Sequence, residues 1–242
     1  MNIKVLKNPE ELGKSAAREA ERIINKSISE KGIARIVLST GASQFETLQA
    51  LVRANVDWSK VEMFHLDEYI GLSQSHPASF RKYLQERFVS QVNVKNSFFV
   101  NGEGDIEANI KQLATEIRKA PIDLGLIGIG ENAHIAFNDP PADFDTKDAY
   151  IVVDLDEDCR NQQVGEGWFQ SIDDVPKQAI SMSVHQIVQC EAILSCVPNK
   201  RKSEAIKRTL ESDETNQIPA TKLKSHPNWT LFLDEGSASL VS

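Results

Sequence analysis

Four short polar clusters in this 242-residue sequence carry residue types that could do chemistry. The first is Ser39-Thr40-Gly41-Ala42-Ser43. A small-residue turn that opens a helix leaves backbone N–H groups unpaired, and these, with the helix dipole, hold an anion such as phosphate. The Thr40 and Ser43 hydroxyls would add donors. No Gly-Lys-Ser/Thr follows, so this is not a Walker loop. The plain alternative is an ordinary cap, with Ser39 or Thr40 at the N-cap. The second cluster is His65-Leu66-Asp67-Glu68-Tyr69. Two adjacent carboxylates after an apolar run cannot both face one way. One of them, in a partly dry cleft, would gain proton affinity and serve as a base; the alternative is a turn with solvated acids. The third runs from Gly128-Ile129-Gly130 through Asn132, His134 and Asn138-Asp139-Pro140. Histidine exchanges a proton near neutral pH, and Asn132 or Asp139 could fix its tautomer. Gly128 and Gly130 would let backbone approach a ligand. Read plainly, His134 is a core histidine in a capped loop. The fourth cluster, Lys200-Arg201-Lys202, opens a helix after Pro198. Cations there oppose the helix dipole, a cost that a bound phosphate offsets; the alternative is a solvated basic run.

The elements that must position these clusters alternate along the chain. Leu12, Ala16, Ala20, Ile23 and Ile24 recur at helical spacing, Ile33 to Leu38 reads as a buried strand, and Phe45, Leu48, Leu51 and Val52 mark a helix. Strands follow over Val61–Leu66, Ile122–Ile129, Ala192–Val197 and Trp229–Leu233, with helices over Ala78–Val89, Ile106–Ile117 and Lys202–Leu210. This alternation predicts an α/β fold: a doubly wound, mainly parallel sheet with helices on both faces, in a single domain over residues 1–242. Each cluster then falls at the carboxyl end of a strand, where such sheets bind ligands. The stretch 139–169, rich in Pro, Asp and Gly, is the least regular and reads as a lid.

Bulk properties narrow the function classes. The formal charge of −8 argues against a nucleic-acid surface, although a pocket can still be locally positive. Cys159, Cys190 and Cys196 form no CxxC pair, which argues against a disulfide framework or a zinc site and for a reducing compartment. No apolar run reaches membrane-span length, and the start of the chain has no signal-peptide core. A cytoplasmic protein with neither membrane nor nucleic-acid partner is expected.

Two long motifs, Leu66-Asp67-Glu68-Tyr69-Ile70-Gly71-Leu72 with His76-Pro77-Ala78-Ser79-Phe80, and the stretch Gly128 to Pro140, resemble the glucosamine-6-phosphate deaminase family. The match runs in order from Ser39-Thr40-Gly41 to His226-Pro227. The resemblance implies a sugar-phosphate substrate, isomerised from aldose to ketose and deaminated without metal or organic cofactor, by a monomer or homo-oligomer. It implies that Asp67 is the base moving a proton between C2 and C1 and that His134 assists ring opening. Asn132 and Asp139 lie where the family places the histidine's acidic partners, completing the catalytic set. Thr40, Gly41, Ala42, Ser43, Gly128 and Lys202 match the groups that bind substrate and phosphate.

There are departures from the family pattern. Asn132 stands for an aspartate and loses its charge. Ala133 stands for glycine, which should deny the loop an easy positive φ. Asp139 stands for glutamate, one methylene shorter, which should weaken or reroute its bond to His134. The arginine expected near Gly165-Glu166-Gly167-Trp168 is missing; Arg160 lies upstream as a substitute. Basic residues of the family's allosteric site have no clear counterparts between Asp148 and Leu155, so no such activation is expected. Two competing readings are a 6-phosphogluconolactonase-type hydrolase and a non-catalytic sugar-phosphate binder. The lactonases share a Gly-x-Gly stretch, but continue into Ser-Leu-Phe-Pro where this chain has Phe137-Asn138-Asp139-Pro140, and lack the Leu66–Tyr69 motif.

Overall fold

The computed structural model describes residues 1–241. Its first helix, α1 (Pro9–Lys31), shows how local signals set the elements. Asn8 caps it by accepting the Glu11 N–H at 2.9 Å, Pro9 occupies the first turn, and Gly32 ends it in the left-handed conformation. Leu12, Ala16, Ala20 and Ile24 point inward at helical spacing and are buried.

The central sheet has seven strands: β1 (Asn2–Leu6), β2 (Ala34–Leu38), β3 (Val61–His65), β5 (Asn96–Phe98), β6 (Leu124–Leu126), β9 (Ala192–Val197) and β10 (Trp229–Asp234). Their order is β1-β10-β9-β6-β2-β3-β5, and every pairing is parallel. Successive residues of a strand face opposite sides. Val37, Ile193 and Leu231 join a core with α4 (Ile106–Ile117), α6 (Val184–Ile187) and α7 (Ser203–Glu211). Ile36, Leu194 and Phe232 join the opposite core with α1, α2 (Phe45–Leu51) and α3 (Phe80–Leu84). The sheet is therefore doubly wound, as the alternation predicts. No helix among the described residues is long and apolar enough to cross a membrane.

Several elements differ from the sequence expectation. The helix expected over Ala78–Val89 is shorter: Ser79 caps α3, and Gln85–Val89 continue as a π-turn. Lys200–Lys202 form a 3₁₀ turn before α7 rather than its first turn. A second sheet is unforeseen: β4 (Asp67–Tyr69), β7 (Tyr150–Asp154) and β8 (Gln178–Met182), antiparallel in the order β4-β8-β7. The irregular stretch 139–169 also holds a helix, α5 (Glu157–Gly165), capped by Asp156. Tyr69, Phe80, Phe137, Leu155 and Phe169 form a small apolar cluster beneath this addition.

The clusters follow β2, β3, β6 and β9, which are neighbours in the order β9-β6-β2-β3. Their carboxyl ends converge, and β4 leaves the main sheet after one residue, Leu66. Asp67 thus stands where the chain passes from one sheet to the other.

Candidate active site

One cavity is lined by residues from all four clusters: Thr40, Gly41 and Ser43; Asp67; Gly128 and His134; and Lys202. Ala42, Asn132 and Asp139 do not line it; Ala42 stands within the turn, and Asn132 and Asp139 lie behind His134, where its partners are expected.

The turn after β2 is built for an anion. Gly41 has φ +96°, a region open to glycine. No side chain caps the 3₁₀ turn Ala42–Gln44, so neither Ser39 nor Thr40 acts as the expected N-cap. The backbone N–H groups of residues 40–43 find no acceptor among the described residues. Consecutive free N–H groups of this kind favour negative charge. Gln44 fixes the turn, its amide donating to Ser43 Oγ at 3.0 Å and to the Cys196 carbonyl at 3.1 Å. Lys202 is 3% exposed and makes no ion pair among the described residues; burial lowers its pKa, and the charges of Glu166 and Glu131 partly restore it. A buried cation facing free N–H groups is satisfied by a bound anion.

The adjacent carboxylates diverge. Glu68 is fully buried and accepts from the Ser79 hydroxyl at 2.8 Å, the Arg81 N–H at 2.9 Å and the Tyr69 N–H at 3.0 Å, with Arg81 Nε at 3.3 Å. It pins the start of α3 to the seam between the sheets. Asp67 opens on the cavity instead. Burial, and secondly the charge of Glu68, push its pKa up to about 8. A carboxyl tuned to this range is suited to take and return a proton near neutral pH.

His134 lies flat on Gly130, where an added Cβ would fall 2.2 Å from Cε1. Gly130 therefore makes room for the imidazole, and its backbone also borders the cavity. Ala133 takes φ +71° despite its side chain. The loop compels it: Ala133 N–H donates to Gly130 O at 3.1 Å, Gly130 N–H to His134 O at 2.9 Å, and Ala220 N–H to Ala133 O at 2.9 Å. These bonds outweigh a strain of about 1 kcal/mol. Behind the ring, Asp139 Oδ1 stands 3.1 Å from His134 Nδ1, but the ring N–H is not aligned on it. That oxygen accepts the Asn132 amide at 3.0 Å, while Asn132 Oδ1 accepts the His134 backbone N–H at 3.0 Å. One Asp139 oxygen thus meets both the ring and the Asn132 amide. Burial raises the Asp139 pKa, and His134, Asn132 and Cys159 more than offset it, leaving it below the ordinary carboxylate value.

The sequence reading missed Gln162, Gln163 and Glu166, which α5 and the residue after it bring to the cavity. Arg160 does not border the cavity. Arg201 does not border it either; it lines a neighbouring cleft, 3.8 Å from Glu166 and 3.5 Å from Glu131. The polar run from Asn161 to Gln163 was the available signal, but only the fold-back of α5 shows which side faces inward.

Residues 7–232 match the model of the family described as glucosamine-6-phosphate isomerases/6-phosphogluconolactonase. The chain belongs to this family. A glucosamine-6-phosphate deaminase of Thermoanaerobacter pseudethanolicus is 36% identical over 249 residues, covering 100% of this chain and 95% of the relative. One from Lactobacillus delbrueckii subsp. bulgaricus is 34% identical over the full length of both chains. A solved structure described as a monomeric glucosamine-6-phosphate deaminase superposes with a TM-score of 0.90 at 32% identity, covering 99% of this chain and 100% of that one. A 6-phosphogluconolactonase from Thermotoga maritima reaches a TM-score of 0.80 at 16% identity, over 96% of this chain and 99% of that one, a likeness of fold alone.

Proposed function

We propose that this family member converts glucosamine 6-phosphate to fructose 6-phosphate and ammonia. The reading rests on one observation: Asp67, His134 and a turn of free N–H groups with Lys202 border a single cavity. The turn at residues 40–43 and Lys202 hold the phosphate and so fix the other end of the sugar, which converts proton transfer into a positioned, intramolecular step. His134, backed by Asp139 and Asn132, moves a proton between the ring oxygen and O1 as the pyranose opens. Asp67 takes the C2 hydrogen as a proton, giving a cis-enolamine, and returns a proton to C1. Water adds to the resulting C2 imine, and ammonia leaves. Helix α5 covers the bound sugar as a lid, with Gln162, Gln163 and Glu166 on its inner side. The enzyme works as a monomer in the cytoplasm, on a small molecule, with neither membrane nor nucleic-acid partner.

Incubation with glucosamine 6-phosphate should release ammonia and ketose phosphate in equal amounts, and Asp67→Asn should abolish both. Hydrolysis of 6-phosphogluconolactone without ammonia release from the amino sugar would overturn the proposal in favour of the lactonase reading. Binding of the sugar phosphate with neither reaction would point to the non-catalytic binder.

A further inference from the structure

Cysteine spacing shows no metal site, because spacing cannot see ligands of mixed type brought together by folding. Behind the His134 ring, three such ligands meet. His134 Nδ1, an Asp139 carboxylate oxygen and Cys159 Sγ, from the loop after β6 and from α5, lie within 4.8 Å of one another. Cys159 is 1% exposed, and the Asp139 side chain 7%. His134 Nδ1 stands 3.1 Å from Asp139 Oδ1, and the Cys159 thiol is hydrogen-bonded to the same carboxylate, so the three side chains already form one buried contact cluster. Imidazole nitrogen, carboxylate and, once its proton is lost, thiolate are all metal-ligating groups, and here they converge on one point.

We propose that this cluster is a site for a borderline-soft divalent cation, zinc or cobalt, and that its occupation inhibits the enzyme. The donor set is one nitrogen, one oxygen and one sulfur. That combination suits zinc and cobalt, and not magnesium or calcium, which take oxygen ligands. Tetrahedral zinc with bonds of ~2.0–2.3 Å sets its ligand atoms roughly 3.5 Å apart, so closing the site needs shifts of about 1 Å. Rotation of the Cys159 side chain on α5 supplies this. Asp139 Oδ1 keeps its bond from Asn132, which then orients the ligating carboxylate from outside the metal's own shell. On binding, the Cys159 S–H bond breaks, the sulfur–metal bond forms, and the proton goes to solvent. Three protein ligands leave a fourth position for water.

The inhibitory half rests on the proposed role of His134: with the metal on Nδ1, the imidazole is locked and no longer carries a proton during ring opening. The binding half does not rest on it, and is read without activity. The full chain is titrated with Co²⁺ while the thiolate-to-cobalt charge-transfer absorption is followed. One equivalent should bind with this band; the band should vanish in Cys159→Ala and Cys159→Ser and persist in Cys190→Ala, whose thiol is buried elsewhere. No band in the parent protein, or a band that survives Cys159→Ala, would overturn the site. In turnover, Zn²⁺ should inhibit, and Cys159→Ala should raise the half-inhibiting concentration by more than ~100-fold, beyond the ~10–100-fold typical of losing an outer-shell partner. A cobalt site obeying this pattern without zinc inhibition would overturn the inhibitory half. The same site on a protein with no deaminase activity, even free of metal, would refute the proposed function and leave the metal site standing.

Discussion

Asp67 and Glu68 are neighbours in the chain, and everything around them differs. Glu68 turns into the protein, where four hydrogen bonds shorter than its contact to Arg81 Nε hold it as a strut. Asp67 turns into the cavity, and its pKa rises through burial and the charge next door. The strut stabilises the seam between the parallel sheet and the small antiparallel one; its partner on the other side is left poised and costly. Position in the fold, not residue type, thus decides which acid is held as structure and which opens on the cavity.

The contrast can be broken from either side. The largest effect is expected for Asp67→Asn: kcat/KM should fall by at least ~10³-fold, within the span of a lost general base. The same change should stabilise the protein at alkaline pH. The Asp67 carboxyl is raised from 3.8 to about 8 in the folded state, so its contribution is present below pH 3.8 and lost as pH rises towards 8. Urea unfolding should find Asp67→Asn equal to the parent near pH 4 and more stable by a few kcal/mol (about) above pH 8. Glu68→Gln should do the reverse, costing about 1–3 kcal/mol by taking acceptors from the buried Ser79 hydroxyl and the N–H groups at the start of α3, while Arg81 keeps its ion pair to Glu103 at 2.7 Å. It should also move the acid limb of the pH profile of kcat/KM to lower pH, because it removes a charge that raises the Asp67 pKa.

Smaller effects test the histidine and anion ends of the same cavity. Gly130→Ala places a methyl group on the imidazole and should cost about 1–3 kcal/mol of stability, as overpacking does, with a fall in kcat as the ring is displaced. Unchanged kinetics would show that the ring's seat does not matter. Lys202→Ala should chiefly raise KM, by about tenfold, by removing a contact made equally in ground and transition states. A fall in kcat at constant KM would place Lys202 nearer the reacting carbons than proposed.

How much the sequence revealed also divides along the two sheets. The strands β2, β3, β6, β9 and β10 are short β-branched or apolar runs between helical stretches, and buried strands announce themselves this way. β1 lies at an edge, largely exposed, and β5 has three residues, so neither carries an apolar run. In the small sheet, β4 is Asp-Glu-Tyr and β7 alternates towards solvent, with Val152 45% exposed. Its strands are made by pairing with one another, which no local pattern records. The site follows the same division. The turn at 40–43, Asp67, His134 and Lys202 follow legible strands. Gln162 and Glu166 depend on the fold-back of α5, and the positive φ of Ala133 on three backbone bonds that no propensity scale contains.

The central claim is that Asp67 breaks the bond between C2 and its hydrogen while the phosphate is anchored at the turn. Glucosamine 6-phosphate deuterated at C2 follows that bond directly. Single-turnover ammonia release should slow several-fold with the deuterated sugar, and Asp67→Asn should leave the carbon–deuterium bond intact. Ammonia released with deuterium still on C2, or cleavage of that bond by Asp67→Asn at the parent rate, would contradict the account.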